Sequence, residues 1–184
     1  DTESLTINND ITLSAWVKFS DFNTSTPTVI SKITPGEFVG YGLEKQNNYN
    51  KLSFWVGDGT AFNEITSNQL SENTWYYVVC TNDGSTSKLY INGTLISSGE
   101  SGYPAGPTGD LKIGIHSTES QSFRFWDGFI DELSVWNIVL NEEQINSYMT
   151  TFPSENEEGL SAYWKFNAGN GAILYDHTGN ANHG

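Results

Sequence analysis

Two adjacent acids, Asp131 and Glu132, stand at the centre of an apolar, β-rich run that extends from residue 126 to residue 137. Two carboxyl groups can cleave a glycosidic bond as nucleophile and acid when both lie on one face, about 5–5.5 Å apart. Neighbouring residues of a regular strand point to opposite faces. The spacing therefore predicts that this pair does not act on one sugar.

Aromatic side chains give the second set of candidate functional residues, because the apolar C–H faces of sugars stack on such rings. Trp55 stands close to Asp58, Tyr49 lies in an Asn-rich loop, and Tyr103 lies in the Gly- and Pro-containing segment 101–107. Polar neighbours in such loops can bond to sugar hydroxyl groups. These four residues are the predicted ligand-binding residues.

Other chemistries lack their usual sequence patterns. The histidines at positions 116, 177 and 183 show no His-x-x-x-His spacing, and we expect them to be solvent-exposed loop residues. No Gly-x-Ser-x-Gly motif, Walker loop or dinucleotide fingerprint occurs. The single cysteine, Cys80, lies in an apolar run, which predicts a buried strand residue.

The charge of the chain limits its partners. Its 184 residues carry 22 acidic and 8 basic side chains, which gives a formal net charge of −14. This charge argues against binding to nucleic acid or to anionic membranes. No apolar run is long enough to insert into a membrane, and the abundance of Asn, Ser, Thr and Gly is typical of secreted or cell-surface proteins.

Short alternating segments, separated by turn residues, predict a set of strands that must position these candidates. In the first of them, Leu13, Ala15, Val17 and Phe19 share one face and Trp16 lies on the other. Strands at this spacing predict an all-β fold, a two-sheet antiparallel sandwich. The predicted strands are 12–19, 28–33, 40–45, 51–56, 75–81, 88–91, 94–96, 111–115 and 129–136.

One short helix is predicted from 141 to 149, directly after the strand that holds the two acids. Asn141 and Gln144 have the spacing of a capping box, in which each side chain bonds to the other residue's backbone N–H. Ile145, Tyr148 and Met149 fall on one side of the helix. We expect the helix to cover an edge or an end of the sandwich.

Three segments together resemble the laminin-G-like, concanavalin-A-like family of jelly rolls. They are the strand at 11–18, the hairpin from Trp75 to Gly93, and the Gly-x-Ile-Asp-Glu strand at 128–132 with the helix that follows it. The resemblance implies a jelly-roll sandwich that binds carbohydrate or another ligand. It also assigns five tryptophans to motif positions in the core, namely Trp16, Trp75, Trp126, Trp136 and Trp164.

The segment 159–184 resembles the element that usually opens a domain of this family, yet here it closes the chain. In one interpretation, residues 1–184 are a single, circularly permuted domain in which 159–184 supplies the closing strand. In the other, this segment begins a second repeat. The first is favoured, because an orphan strand would expose Leu160, Tyr163, Trp164 and Phe166.

The resemblance also implies a structural calcium ion. In related jelly rolls the Asp of the Ile-Asp-Glu strand ligates calcium together with a Phe-Asp-x-Gly segment, which matches Asp131 and 166–169 here. Asn167 replaces the usual Asp, so the site carries less charge. Further oxygens would come from Gly169, Asn170 and Asp176. The alternative is that Asp131 and Glu132 only pair or cap at a sheet edge.

Enzymes of this fold carry motifs that are missing here. The resemblance would require Glu-x-Asp-x-x-Glu on one strand for a glucanase, or Gln-x-His and Tyr-x-Lys strands for an alginate lyase. We therefore expect a non-catalytic extracellular module that binds a glycan or polysaccharide. The alternatives are a protein-binding or architectural adhesion domain with a cell-surface protein as its partner and, more remotely, a polysaccharide-active enzyme.

Overall fold

The computed structural model describes residues 2–21, 26–46, 49–116 and 125–184. These residues form two antiparallel sheets and one α-helix, which confirms the predicted all-β sandwich. A short 3-10 turn, Glu3–Leu5, precedes the first strand. The elements are β1 Ile11–Phe19, β2 Thr28–Ile33, β3 Val39–Lys45, β4 Leu52–Asp58, β5 Phe62–Thr66, β6 Trp75–Asn82, β7 Thr86–Ile91, β8 Thr94–Glu100, β9 Lys112–Ile113, β10 Gly128–Trp136, α1 Glu142–Tyr148 and β11 Leu160–Trp164.

The six-stranded sheet has the order β11-β10-β1-β6-β7-β8, and the five-stranded sheet has the order β5-β4-β3-β2-β9. Their inner faces share one apolar core. The alternation in β1 is confirmed, since Leu13, Ala15, Val17 and Phe19 are buried in this core. Trp16 points the other way and packs against a second apolar cluster on the outer face of the six-stranded sheet.

Two elements of the five-stranded sheet differ from the predicted strands. β5 was not predicted, because only Ile65 of its five residues is fully buried and the apolar signal is weak. β9 is two residues long, whereas a strand was expected over 111–115. The remaining strands agree with the prediction to within a few residues at each end.

The predicted capping box is confirmed. The Asn141 side chain accepts from the Gln144 backbone N–H at 2.9 Å, and the Gln144 side chain accepts from the Asn141 N–H at 3.0 Å. However, α1 does not lie at an edge or end. Its Ile145 and Tyr148 join the cluster on the outer face of the six-stranded sheet, where Tyr148 stacks on Trp136. No helix in the described ranges is both long and apolar enough to cross a membrane.

β11 is an edge strand of the six-stranded sheet. It pairs with β10, so that Leu133 lies opposite Trp164, and Trp164 makes an isolated antiparallel bridge with Asp176. The chain ends are also in contact, because the Asn182 side chain accepts from the Thr2 N–H at 2.9 Å. The assignment of residues 1–184 to one domain stays a prediction, and this pairing supports it.

β10 contains a β-bulge at the two acids, so it is not the regular strand that the sequence argument assumed. The register against β1 shifts between Ser14 and Trp16, and Glu132 has a left-handed φ of 49°. Asp131 is opposite Trp16, and the Glu132 carboxylate accepts a hydrogen bond from the Tyr163 hydroxyl. Since Trp16 and Tyr163 both belong to the outer cluster, the two carboxylates lie on one face. The expectation of opposite faces is therefore wrong.

Candidate functional site

The outer face of the five-stranded sheet is built around Trp55. This residue lies in the middle of β4, between Gly42 on β3 and Glu64 on β5. The indole ring lies over the backbone of Gly42, where an added Cβ atom would meet the ring carbon Cζ2 at 2.4 Å. The absence of a side chain at Gly42 thus allows the ring to lie flat on the sheet, where Trp55 is only 6% exposed.

Other rings surround Trp55 and extend the aromatic surface toward solvent. Phe62 packs edge-on against the indole at a centroid distance of 5.2 Å. The His116 ring centroid is 6.2 Å from that of the indole, and the two ring planes are tilted by 35°. Phe38 packs edge-on against Phe62 at 5.4 Å. Phe38 and Phe62 are 53% and 40% exposed, so they provide the accessible ring surface while Trp55 forms the floor.

Two carboxylates stand on the same face, one on each side of Ser53. Glu44 is opposite Ser53 in the β3–β4 register, and its carboxylate accepts from the Thr28 hydroxyl at 3.4 Å. The Ser53 hydroxyl donates a short hydrogen bond to the Glu64 carboxylate. Each carboxylate is therefore held by a hydroxyl group of a neighbouring strand and can still accept further hydrogen bonds from a ligand.

These side chains enclose an open depression of about 490 Å³, which we call the Trp55 groove. Glu37, Glu44 and Glu64 line it, beside the aromatic rings. Exposed rings with a few fixed hydrogen-bond acceptors are the features that recognise a sugar, since its C–H face is apolar and its hydroxyl groups donate. The lining residues are Ile33, Gly36, Glu37, Phe38, Glu44, Trp55, Phe62, Glu64 and His116.

The predicted ligand-binding residues do not converge on one site. Trp55 lies in the groove floor. The Asp58 carboxylate instead stabilises the turn after β4, where it accepts from the Thr60 hydroxyl and from the N–H groups of Thr60 and Ala61. These bonds, that of the Thr60 hydroxyl first, hold the pKa of Asp58 well below its usual range. Asp58 is thus a turn-capping residue in this structure.

The two predicted tyrosines lie away from the groove floor. The ring of Tyr103 lies against the 82–86 turn, where a Cβ atom added to Gly84 would come within 2.3 Å of it. Tyr49 lies in the β3–β4 loop, at the opposite end of β4 from Asp58, and Lys51 Nζ is 5.9 Å from its ring centroid. Both rings are about half exposed, at 46% and 54%.

The predictions from the sequence missed or misjudged three groove residues and Trp75 on the other sheet. Phe62 and Glu64 belong to the unpredicted strand β5, whose apolar signal in the sequence is weak. His116 was expected to be a solvent-exposed loop residue, and that is wrong, since it is 7% exposed and packs near Trp55. Trp75 was assigned to the core, yet it is 38% exposed on the outer face of the six-stranded sheet.

The predicted calcium ligands lie toward one end of the β10–β11 pair. Asp131 precedes Leu133 by two residues, and Asn167 follows its partner Trp164 by three, so antiparallel pairing brings them to the same end. Gly169 and Asn170 line a shallow surface depression of the 166–174 loop. Asp176 is buried beside Trp164, on the bridge described above.

In this arrangement the carboxylates of Asp131 and Asp176 accept hydrogen bonds from the protein. The Asp176 carboxylate already accepts from the N–H groups of Tyr163, Thr178 and Asn182 and from the Thr178 hydroxyl. An Asp131 oxygen accepts from the Glu132 N–H at 3.0 Å. Among the described residues, no group of three or more His, Cys, Asp and Glu side chains is placed to hold a metal ion. Calcium stays a prediction from the resemblance.

Glu132 lies in a network of ionisable groups on the outer face of the six-stranded sheet. Burial raises the pKa of its carboxyl group, and the neighbouring Asp131 raises it further, while the Tyr163 hydrogen bond opposes the shift. Burial and the Glu132 carboxylate together raise the pKa of Tyr163. Lys165 and His177 act in the opposite direction and lower the pKa of Glu132. Both also lie within 4 Å of the Glu155 carboxylate.

Sequence comparison gives a family match that covers most of the chain. A family model for the concanavalin A-like lectin/glucanases superfamily matches residues 1–146. Comparison with curated protein sequences found no match.

Similar solved structures share the fold at low sequence identity. A candidate carbohydrate-binding protein from Bacteroides ovatus is 22% identical with a TM-score of 0.77 over 97% of this chain and 52% of its own, so this chain spans about half its length. Domain 4 of an extracellular GH43 arabinanase from Geobacillus stearothermophilus, solved with arabinotriose, is 21% identical with a TM-score of 0.61 over 78% of this chain and 68% of its own. The binding domain of Botulinum neurotoxin DC, solved with rat synaptotagmin II, is 16% identical with a TM-score of 0.59 over 81% and 37% of the two chains.

Proposed function

The chain belongs to the concanavalin A-like lectin/glucanase superfamily, and on this basis we propose that it is a non-catalytic module that binds carbohydrate in the Trp55 groove. The observation that carries the proposal is the pair of exposed rings, Phe38 and Phe62, beside the hydroxyl-anchored carboxylates of Glu44 and Glu64. The rings would stack on sugar C–H faces, and the carboxylates would accept hydrogen bonds from sugar hydroxyl groups.

The charge of the groove narrows the ligand class. The Asp, Glu, Lys and Arg side chains among its lining residues are three glutamates, Glu37, Glu44 and Glu64. These carboxylates repel the acid groups of uronic or sialic acid sugars and favour neutral sugars, or amino sugars that carry a positive charge. A neutral or basic polysaccharide outside the cell or at the cell surface is therefore the proposed partner. The arabinotriose bound to the arabinanase domain is a neutral sugar of this kind.

The absence of catalysis is part of the proposal. Glu44 and Glu64 are separated by one intervening strand, so their backbones lie about 10 Å or more apart. A retaining glycosidase needs its two carboxyl groups about 5–5.5 Å apart. The Thr28 hydroxyl of β2 anchors Glu44, and the Ser53 hydroxyl of β4 anchors Glu64.

A glycan array followed by titration calorimetry tests the proposal. We expect saturable binding to a neutral or amino-sugar glycan, and Phe62→Ala or Phe38→Ala should weaken it by about tenfold or more. The matched control is Phe152→Ala, since Phe152 is 52% exposed and lies outside the groove. The control should bind like the wild type.

Three outcomes would contradict the proposal. Binding that survives both groove substitutions would place the site elsewhere on the chain. Silence across all glycans would favour the protein-binding or architectural alternative, for which a fold relative solved with synaptotagmin II gives a precedent. Reducing ends or unsaturated sugars released from a polysaccharide panel by the wild type, and lost in Glu64→Gln, would show an enzyme instead.

A further inference from the structure

A second exposed aromatic surface lies on the outer face of the other, six-stranded sheet. Lys18 on β1 is opposite Phe129 on β10 and also opposite Trp75 on β6, so the three side chains form one row across three adjacent strands. We call this row the Lys18 patch. It belongs to the opposite sheet from the Trp55 groove and shares no residue with it.

The lysine lies between two accessible rings. Lys18 Nζ is 4.4 Å from the ring centroid of Phe129 and 5.4 Å from that of Trp75, and the two centroids are 6.2 Å apart. Phe129 is 55% exposed and Trp75 is 38% exposed. The rings hold the ammonium group in place by cation–π attraction, and much of their own surface stays open to solvent.

Lys18 carries a positive charge in a chain whose formal net charge is −14. Among the described residues, no carboxylate forms an ion pair with Lys18 Nζ, whereas Lys165 pairs with Glu155 at 3.3 Å. Lys18 is half-buried, and its ammonium group lies against the two rings. Its charge is available to an anion from outside.

The strand pairing limits the kind of molecule that can carry this anion to the patch. β1 is paired along its length with β10 on one side and β6 on the other, so its backbone N–H and C=O groups are used. A peptide therefore cannot join the sheet at the patch as an additional strand. The groups left for recognition are two ring faces and one ammonium group.

We propose that the Lys18 patch binds an acidic saccharide. A sugar ring stacks on Trp75 or Phe129 through its C–H face, and the carboxylate or sulfate group of the sugar pairs with Lys18 Nζ. The acids that line the Trp55 groove favour neutral or basic sugars, so the groove and the Lys18 patch select ligands of opposite charge. The patch and the groove would let one domain contact two kinds of glycan.

Titration calorimetry with tetragalacturonate, a tetramannuronate and a sulfated carrageenan tetrasaccharide tests this assignment, with cellotetraose as the neutral comparison. We expect binding to at least one acidic probe, weakened about tenfold or more in Lys18→Gln, because a charge-assisted contact is lost. Trp75→Ala should abolish the same binding. Raising the salt concentration should weaken it in the wild type and have less effect in Lys18→Gln.

Matched controls separate this site from the groove. Lys88→Gln changes another half-buried lysine of the same sheet, on β7, and should bind the acidic probe like the wild type. Phe62→Ala, which tests the groove, should also leave this binding unchanged, so the two proposals can fail independently. A melting curve for each variant confirms that it is folded, and Lys18→Gln removes the charge while keeping an extended, polar side chain.

The proposal is overturned if none of the three acidic probes binds. It is equally overturned if an acidic probe binds but Lys18→Gln and Trp75→Ala bind it as well as the wild type does. A glutamate-rich peptide that binds the patch, in place of any saccharide, would show a protein partner and would also overturn it.

Discussion

The indole ring of Trp55 lies across the backbone of Gly42 on the neighbouring strand, and no larger residue fits beneath it. An added Cβ atom would lie 2.4 Å from the ring carbon Cζ2 and 2.7 Å from Cε2. The floor of the Trp55 groove thus depends on a residue that has no side chain, and the position of Trp55 can be changed without touching Trp55 itself.

Replacing Gly42 by Ala should displace the Trp55 ring and destabilise the fold. Overpacking of this kind costs about 1–3 kcal/mol, which would appear as a lower free energy of unfolding in urea. The variant should also lose affinity for the glycan that the groove binds, since Phe62 packs on the same ring. Gly179→Ala is the control, because nothing lies within 4 Å of an added Cβ there. If Gly42→Ala matches the wild type in both measurements, the ring does not lie where the structure places it.

The part of the fold that carries strong apolar alternation could be predicted from the sequence. β1 is such an element. The capping box at Asn141 could be predicted as well, because its sequence pattern is local and is typical of a helix start. The groove could not be predicted in the same way. β5 has only one fully buried residue, so its sequence does not indicate a strand. Phe62 and Glu64 become groove residues only because β5 pairs with β4, which places them beside Trp55.

The acids at 131 and 132 show the opposite failure, in which a correct motif led to an incorrect geometry. Neighbouring side chains point to opposite faces only in a regular strand. The bulge at Glu132 adds one residue on β10. Its left-handed φ is more usual for Gly or Asn, so a glutamate at this position does not indicate a bulge. Tertiary pairing with β1 decides the face on which these carboxylates lie.

The predicted roles of Tyr103 and Tyr49 can be separated from that of the groove. Both rings lie away from the groove lining, so Tyr103→Ala and Tyr49→Ala should keep glycan affinity within about twofold of the wild type. Tyr103→Ala should nevertheless lower the melting temperature, because the ring packs against the turn at Gly84. Calorimetry and melting curves on the same samples distinguish the two effects. A tenfold loss of affinity in either variant would show that the replaced tyrosine belongs to the ligand site.

The calcium prediction has a direct test in the melting temperature. If calcium binds at Asp131, saturating calcium should raise the melting temperature of the wild type relative to a sample in chelator, because the folded state alone holds the ion. Asp131→Asn should then remove most of that difference. Glu158→Gln, which changes an exposed acid, is the matched control and should keep it. Equal melting temperatures with calcium and with chelator in the wild type would remove the calcium prediction.

The Glu132 carboxyl group should make stability depend on pH in a definite direction. Because burial raises its pKa in the folded protein, the folded state binds this proton more tightly than the unfolded state does. Stability from this group is therefore greatest below the unfolded pKa, near 4.3, and falls as the pH rises through the folded value. Above that value the ionised carboxylate carries its full burial penalty, which the Tyr163 hydrogen bond only partly offsets.

Glu132→Gln isolates this effect, since the amide keeps an acceptor for the Tyr163 hydroxyl and cannot ionise. The free energy of unfolding of the variant minus that of the wild type should become more positive as the pH rises from 3 to 7. Glu158→Gln, which changes an exposed acid, is the matched control for the loss of one carboxyl group. Asp131, Lys165 and His177 also face Glu132, so the titration should be repeated with Asp131→Asn in the background. A Glu132→Gln difference that is flat, or that falls with pH, would mean that the carboxylate is better stabilised in the folded protein than its burial implies.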